Sequence, residues 1–179
     1  MSHSSINPSA HEAVTFSEEL LSKMQKAVKK YPAGKEKSAI LQMLHLAQAE
    51  FGWVSVPTMN TLAGILQIEA IEVYEVATFY TMFHLEPVGK YVFEVCRTGP
   101  CMLVGSDQLI EHIGKRLNIG VGETTEDGLF TLKTAECLGG CGYGPLLQCR
   151  HRFHEHLTSE KVDALIDQYR QGNIEHGAL

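Results

Sequence analysis

Four of the five cysteines in this chain of 179 residues occur as two pairs. Cys96 and Cys101 lie in VCRTGPC, and Cys137 and Cys141 lie in ECLGGCGYGP. Each pair follows a stretch that is typical of a strand and enters a loop that contains glycine. Two such loops at one edge of a sheet bring four sulfurs together, and four thiolates repel one another unless a cation lies among them. The cysteines therefore predict a fold in which two distant segments meet at one metal or redox site.

The spacing of the cysteines leaves three kinds of site open: an iron–sulfur cluster, a structural zinc ion, and a disulfide or dithiol redox pair. Four glycines around the second pair favour the cluster, because they let backbone N–H groups approach thiolate and sulfide sulfur. These are Gly139, Gly140, Gly142 and Gly144. Zinc knuckles more often have Cys-x2-Cys spacing and fewer glycines. The plant-type ferredoxin spacing is not present, so a cluster here indicates a different fold.

The first half of the chain predicts an all-helical unit. Four helical patterns follow one another, over residues 17–31, 35–51, 55–68 and 69–83. Ser17 is a candidate N-cap of the first helix, and Gly52 is typical of the end of the second. Residues 1–15 are rich in Ser, His and Ala, and they predict a disordered segment without the pattern of a signal or transit peptide.

The second half alternates strand and helix patterns. They fall over residues 90–96, 106–120, 129–137, 145–153 and 157–172. Ser106 and Thr158 are the predicted N-caps of the two helices. The order β-α-β-β-α predicts a small α/β domain of thioredoxin type. The expected fold class is therefore α+β, with a helical domain over 16–86 followed by a thioredoxin-like domain over 87–179 that carries the cluster.

Composition and motifs argue against several classes of function. A formal net charge of −6 is unfavourable for binding nucleic acid. No uninterrupted apolar run reaches the ~18 residues of a membrane span, so we expect no direct membrane insertion. The sequence has no G-x-G-x-x-G between a strand and a helix, no P-loop and no recognisable triad, so we expect no catalytic residue and no nicotinamide site on this chain. We also expect an intracellular location, where paired cysteines are more often metal ligands or redox groups than disulfides.

Other reactive or apolar side chains have simpler explanations. Cys149 lies in an apolar strand pattern and is predicted to be a buried core residue. His151, His154 and His156 are close in sequence, and we expect a solvated hairpin tip rather than a metal site. The segment ATFYTMF, residues 77–83, is expected mainly to pack in the core of the fourth helix, with docking to a partner as the alternative.

The cysteine pattern resembles that of a known family when it is taken together with AEFGWVS, ATFYTMF, PVGKYVFEVC and TAECLGGCGYGP. These segments resemble the thioredoxin-like [2Fe–2S] subunit of respiratory complex I, the E-type family of NADH dehydrogenase subunits. The resemblance extends over about residues 17–171, and all four ligand positions are filled. It implies one [2Fe–2S] cluster, in which Cys96 and Cys101 hold one iron while Cys137 and Cys141 hold the other.

The resemblance also implies a role and a partner. In this family the cluster exchanges single electrons with FMN on a partner subunit that binds and oxidises NADH. The complex would hold the chain at the cytoplasmic face of a bacterial inner membrane, as a peripheral subunit. Related subunits occur in NAD-linked formate dehydrogenases and NAD-reducing hydrogenases, and the cysteine motif does not separate these parent complexes.

Two further classes stay open from the residues alone. A zinc-stabilised interaction module is disfavoured by the density of glycine around Cys137 and Cys141. A free-standing thioredoxin-like ferredoxin is disfavoured by the helical N-terminal domain, which carries no site of its own and makes most sense as a clamp onto a partner.

Overall fold

A computed structural model of the protein describes residues 14–172. The chain divides into two compact units, Met1–Pro87 and Val88–Leu179. The disorder predicted for residues 1–15 falls, apart from Val14 and Thr15, outside the described residues. Among helices within 14–172, none is both long enough and apolar enough to cross a membrane.

The first unit is built from four helices. They are α1 (Glu18–Val28), α2 (Ile40–Phe51), α3 (Val56–Leu66) and α4 (Ala70–Phe79), with a 3-10 turn at Glu36–Ala39 before α2. The predicted ends of two helices are confirmed. Ser17 Oγ accepts a hydrogen bond from the backbone N–H of Leu20 at 3.1 Å, and Gly52 ends α2 in the left-handed region with φ 80°.

One apolar core holds these helices together. Each helix contributes side chains that are almost fully buried, among them Met24, Leu44, Leu62 and Val73. These residues recur at helical spacing along their segments, so each helix turns one apolar face inward. The prediction of a helical N-terminal region is confirmed.

The fourth helix is shorter than predicted. It ends at Phe79, and Tyr80 is extended with ψ 108°. The side chain of Gln48 explains the end of the helix, because it donates to the carbonyl of Met82 at 2.9 Å and accepts from the N–H of His84 at 2.7 Å. The backbone after Phe79 therefore finds partners on α2 rather than in a further helical turn. The prediction that residues 77–83 pack in the core is confirmed for Phe83, which is buried, and wrong for Phe79, which is 77% exposed.

The second unit contains a mixed four-stranded sheet. Its elements are β1 (Tyr91–Cys96), α5 (Gly99–Leu103), α6 (Ser106–Leu117), β2 (Phe130–Ala135), β3 (Leu147–Cys149), β4 (Arg152–His154) and α7 (Ser159–Arg170). The strands lie in the order β2-β1-β3-β4. The β1–β2 pair is parallel, whereas β1–β3 and β3–β4 are antiparallel. The predicted thioredoxin-like fold class is confirmed.

The sheet and two helices share the core of this unit. Phe93 and Phe130 from the sheet, Ile113 from α6 and Ile166 from α7 are completely buried in one apolar cluster. Outside that cluster, ion pairs join α6 to α7, and one of them links Arg116 to Asp167 at 3.1 Å. The core holds β1 between its neighbouring strands and thereby positions Cys96, the last residue of β1.

Two local predictions for this unit are wrong, and one element was not predicted. Residues 145–153 form a tight hairpin rather than one strand, and the turn includes Arg150 at φ 57°. The short helix α5 was not expected. Ser106 is the first helical residue of α6 and not its N-cap, which is Gly105 at φ 100°. Thr158 is the N-cap of α7 as predicted, since its hydroxyl accepts from the N–H of Lys161 at 3.3 Å.

Candidate metal centre

The two cysteine pairs leave the same edge of the sheet. Strands β1 and β2 are parallel and in register to their ends, where Cys96 pairs with Ala135. The chain continues beyond this edge from both strands, so Cys137 follows two residues after the point that faces Cys96. Cys101 then lies within α5, and Cys141 begins a 3-10 turn over Cys141–Tyr143. The topology thus places all four cysteines in or beside two adjacent segments. We call the segment that connects β1 to α6 the first cysteine loop and the segment that connects β2 to β3 the second cysteine loop.

Direct contacts hold the two loops together. The N–H of Cys96 donates to the carbonyl of Leu146 at 3.1 Å. Cys96, Cys101 and Leu146 form one buried cluster, and Leu138 packs against it. A Cβ placed on Gly144 would lie 3.3 Å from Cys101 Sγ, so the backbone of the second loop lies against the side chain of the first. The loops therefore form one site rather than two.

Two glycines determine the backbone conformation and the packing of the second loop. Gly139 has φ 75°, a conformation that favours glycine, and its N–H donates to Cys137 Sγ at 3.4 Å. Gly140 lies close to the buried side chain of Leu146, which would have to shift for a Cβ at Gly140, since that Cβ would lie 2.9 Å from Leu146 Cδ2. The glycine-rich sequence thus gives a backbone that turns sharply and presents an N–H group to sulfur, as predicted.

The four thiols influence one another electrostatically. Burial raises the pKa of Cys101 to about 11, and the hydrogen bond that the Cys101 thiol donates to Cys96 and the charges of Cys96, Cys141 and Cys137 act in the same direction. For Cys96, burial also acts to raise the pKa, but hydrogen bonds from the backbone of Thr98 and Leu138 outweigh it and lower the pKa. A thiolate at one of these positions therefore opposes a thiolate at the next, unless positive charge lies between them.

The two pairs differ in their burial. Cys96 and Cys101 are only 2% and 1% exposed, whereas Cys137 and Cys141 are exposed. All four are free thiols. Within residues 14–172, no three His, Cys, Asp or Glu side chains surround a single point as the ligands of one ion would. The site has a buried side formed by the first loop and an open side formed by the second.

The donor set fits an iron–sulfur cluster. Four cysteine sulfurs from two touching loops can provide thiolate ligands, which are the usual ligands of such clusters. The N–H of Gly139 donates to Cys137, and backbone groups of Thr98 and Leu138 lower the pKa of Cys96, so the backbone stabilises negative charge at both sulfurs. Positive charge among the sulfurs would also relieve the repulsion that raises the pKa of Cys101.

The remaining candidate residues lie away from the four sulfurs. Cys149 is a buried core residue of β3, as predicted, and burial raises its pKa to about 11. His154 Nε2 lies 3.1 Å from the hydroxyl oxygen of Tyr169, while the ring of His156 packs against Tyr143. These imidazoles do not share a ligand site. The predicted solvated hairpin tip is correct for His151 and wrong for His154, which is half-buried.

Sequence reasoning missed two features of the site. The first is Thr98, whose hydroxyl oxygen lies 3.6 Å from Cys96 Sγ. The second is an apolar surface that we name the α5 patch, formed by the exposed side chains of Met102, Leu103 and Val104. In the sequence, the one signal for either feature is its position next to Cys96 and Cys101.

The fold and the cysteine site define a class of protein, and comparison with known families agrees with them. The chain belongs to the thioredoxin-like [2Fe–2S] ferredoxin family, which matches residues 24–170. This membership confirms the predicted family and supports an iron–sulfur cluster as its cofactor.

Curated relatives narrow the class further. The chain is 46% identical to the E subunit of NADH-quinone oxidoreductase from Rickettsia felis over 156 residues, which cover 87% of this chain and 93% of the relative. It is 42% identical to the second E subunit of NADH-quinone oxidoreductase from Rhizobium meliloti over 147 residues, which cover 82% and 86%. These homologues are subunits of an oxidoreductase complex, in agreement with the predicted class of function.

A solved structure supports the fold. An NAD+-reducing [NiFe]-hydrogenase in its air-oxidized state matches with a TM-score of 0.66 and 22% sequence identity. The match covers 76% of this chain and 23% of the hydrogenase chain, so this protein corresponds to about a quarter of that chain. At this identity the likeness concerns the fold alone.

Proposed function

We propose that this chain is the electron-transfer subunit of E type in an NADH-quinone oxidoreductase and holds one [2Fe–2S] cluster. Cys96 and Cys101 would hold one iron, and Cys137 and Cys141 the other. The observation that carries this proposal is the junction of the two cysteine loops, where Leu146 packs with Cys96 and Cys101 and Gly144 lies against Cys101. The bound cluster would supply one-electron chemistry.

The protein contributes an environment rather than a catalytic group. The first loop shields its sulfurs from water, because Cys96 and Cys101 are buried. The N–H of Gly139 stabilises charge on Cys137. The second loop leaves Cys137 and Cys141 exposed. Electrons would therefore enter and leave on that open side, where a partner can approach closely.

The proposed partner is the flavin-bearing subunit of the same complex. FMN and the NADH site would belong to that subunit, and the cluster would exchange single electrons with its flavin. The complex would place the chain at the cytoplasmic face of a bacterial inner membrane. The names of the curated relatives support this assignment. We also propose that residues 16–86 and 87–179 are separate domains, with the first serving assembly rather than chemistry.

A second parent complex is the alternative. The cysteine motif fits an equivalent subunit of an NAD-linked hydrogenase or formate dehydrogenase equally well, and the fold of this chain resembles part of an NAD+-reducing [NiFe]-hydrogenase. Affinity purification of the chain from its own cells, followed by identification of the co-purified subunits, separates these assignments. Quinone-reductase subunits support the first, and hydrogenase or formate dehydrogenase subunits support the second.

Metal analysis and spectroscopy test the cluster itself. The full chain should be purified without oxygen, and its visible absorbance, iron, acid-labile sulfide and zinc measured. Two irons and two sulfides per chain, with an electron paramagnetic resonance signal that appears after reduction by dithionite, would support the proposal. A colourless chain with one zinc would instead favour the zinc-stabilised interaction module.

A further inference from the structure

The side chain of Thr98 lies next to one of the four sulfurs. Its Oγ1 is 3.6 Å from Cys96 Sγ, a distance at which a hydroxyl can hydrogen-bond sulfur. Thr98 follows two residues after Cys96 and directly precedes α5, so the end of β1 and the start of α5 fix both groups. The contact therefore belongs to the framework of the site and does not depend on a long, freely rotating side chain.

The local sequence explains why this hydroxyl is available. Thr98 is the N-cap of α5, and an N-cap hydroxyl commonly accepts from the N–H of the second or third helical residue. The second residue is Pro100, which has no N–H. The third is Cys101, whose N–H already donates to the Thr98 carbonyl at 2.8 Å. The Thr98 hydroxyl makes no capping hydrogen bond and lies beside sulfur instead.

The other surroundings of Cys96 are largely apolar. Cys96 packs with Cys101 and Leu146 in one buried cluster, and Leu138 packs against that cluster. Backbone groups of Thr98 and Leu138 also act to lower the pKa of Cys96. Cys96 is 2% exposed, so water contributes little to stabilising its negative charge. In such a setting each remaining protein donor has a large effect on the charge at sulfur.

We propose that the Thr98 hydroxyl donates a hydrogen bond to the Cys96 thiolate and thereby raises the reduction potential of the cluster. This inference rests on the proposed function, because it assumes that Cys96 is a cluster ligand. Reduction adds one negative charge to the cluster, so a donor to sulfur stabilises the reduced form more than the oxidised form. Thr98 is thus a positioning residue that acts on the cluster through Cys96.

The test uses Thr98→Val, which removes the hydroxyl and keeps the shape, and Thr98→Ser, which keeps the hydroxyl. Both are made in the full chain, and the midpoint potential is measured by dithionite titration followed by electron paramagnetic resonance. The expected result is a lower potential for Thr98→Val and a potential near the wild-type value for Thr98→Ser. Thr98→Ala serves as a second hydroxyl-free variant if Thr98→Val does not fold.

A second readout detects the hydrogen bond directly. Electron–nuclear double resonance of the reduced protein, in H2O and in D2O, reports exchangeable protons near the cluster. One such proton should be lost in Thr98→Val and kept in Thr98→Ser. Unchanged potential and unchanged proton signals in Thr98→Val, with two irons and two sulfides still bound, would overturn this inference alone. A wild-type chain without iron and sulfide would overturn the proposed function, and this inference with it.

Discussion

At the scale of single residues, a missing side chain keeps the two cysteine loops in contact. Gly144 has φ −69° and ψ 161°, which any residue can adopt, so its backbone conformation does not require glycine. The space around Gly144 favours glycine, because a Cβ would lie 3.0 Å from Val104 Cγ2 and 3.3 Å from Cys101 Sγ. The role of Gly144 is therefore steric.

Gly144→Ala should push the second loop away from Cys101. We expect a loss of about 1–3 kcal/mol of stability, as for other overpacked sites, together with a weaker cluster absorbance. Gly142→Ala is the matched control in the same loop, since a Cβ at Gly142 has nothing within 4 Å. Thermal melting and visible spectra compare the two. Equal behaviour of both variants would mean that the close contact at Gly144 has no energetic importance.

The ligand assignment also belongs to the residue scale. Cys101→Ser or Cys137→Ser should remove or disturb the cluster, because each takes away a thiolate ligand. Cys149→Ala should leave it intact, since Cys149 is a buried core residue and not part of the site. Iron, sulfide and absorbance per chain are the measurements. A bleached Cys149→Ala protein, or an unchanged Cys101→Ser protein, would contradict the assignment.

The sequence alone predicted that the two cysteine pairs meet at one edge of the sheet, but it did not predict their surroundings. The spacing and the glycines can be recognised without a structure, because sulfur ligands require them, whereas the choice of a cluster over zinc or a disulfide came from the family resemblance. The role of Thr98 depends on Pro100 and on a 3.6 Å contact with Cys96 that no pattern encodes. Ser106 looked like an N-cap, but the left-handed Gly105 takes that position and Ser106 is buried instead.

At the scale of secondary-structure elements, α5 exposes apolar side chains next to the open side of the site. Leu103 is 90% exposed and follows two residues after the buried Cys101. Val104 lies against Gly144, so the α5 patch borders the loop that carries Cys137 and Cys141. Exposed apolar surface next to a redox site is typical of a surface that a protein partner covers.

Leu103→Glu should weaken binding of the proposed flavin-bearing partner without changing the fold of this chain. The charge would have to be desolvated on binding, which we expect to weaken association about tenfold or more. Val121→Glu is the control, because Val121 is an exposed apolar residue on a different loop of the same unit. Co-purification and binding titration with the partner are the measurements. Equal binding by both variants would show that the α5 patch is not the docking surface.

The contact between β4 and α7 makes the stability of the fold depend on pH, because it buries His154 of β4 against Tyr169 of α7. Burial lowers the pKa of His154, and the charge of Arg152 lowers it further. Above the ordinary histidine pKa of about 6.5, the residue is neutral in both folded and unfolded states and contributes no pH dependence. Below it, the unfolded state binds a proton that the folded state resists, so stability should fall as pH decreases from about 7 to about 5.

His154→Gln removes this titration. Denaturation midpoints at neutral pH and at about pH 5 should therefore differ less in the variant than in the wild type. The wild type has several other titratable groups, so the informative quantity is the difference between the two proteins. An identical pH dependence in both would mean that His154 does not contribute.

Regular elements were predictable and irregular ones were not. Three helix ends follow from the sequence, because their residue types are typical of caps. They are the N-caps Ser17 and Thr158 and the C-terminal glycine Gly52. The hairpin at Arg150 lacks glycine or asparagine in its left-handed position, so it has no turn signature. The end of α4 depends on Gln48, a side chain far away in sequence, whose contacts no local pattern contains.

At the scale of the whole molecule, the site joins segments that are distant along the chain. A bound cluster would cross-link the loop after β1 to the loop after β2, and helix α6 lies between them in sequence. A cross-link of this kind reduces the freedom of the unfolded state, and metal binding adds its own free energy to folding. Stability of the second unit should therefore depend on the metal.

Removal of iron by an anaerobic chelator should lower the melting temperature of the second unit. We expect a decrease of about 4 °C or more, which corresponds to about 1 kcal/mol in a domain of this size. Hydrogen exchange should accelerate in the two cysteine loops, whereas the core of the first unit, around Met24 and Leu44, should be unchanged. Equal protection of both loops with and without iron would contradict this coupling.

The unequal burial of the two cysteine pairs determines the order in which reagents from solution reach them. Oxygen and chelators reach Cys137 and Cys141 first, so damage to a bound cluster would begin in the glycine loop and leave the shielded pair until last. A partner that covered this loop would slow the entry of oxygen and chelators, so the lifetime of a bound cluster in air should lengthen when the chain binds such a partner.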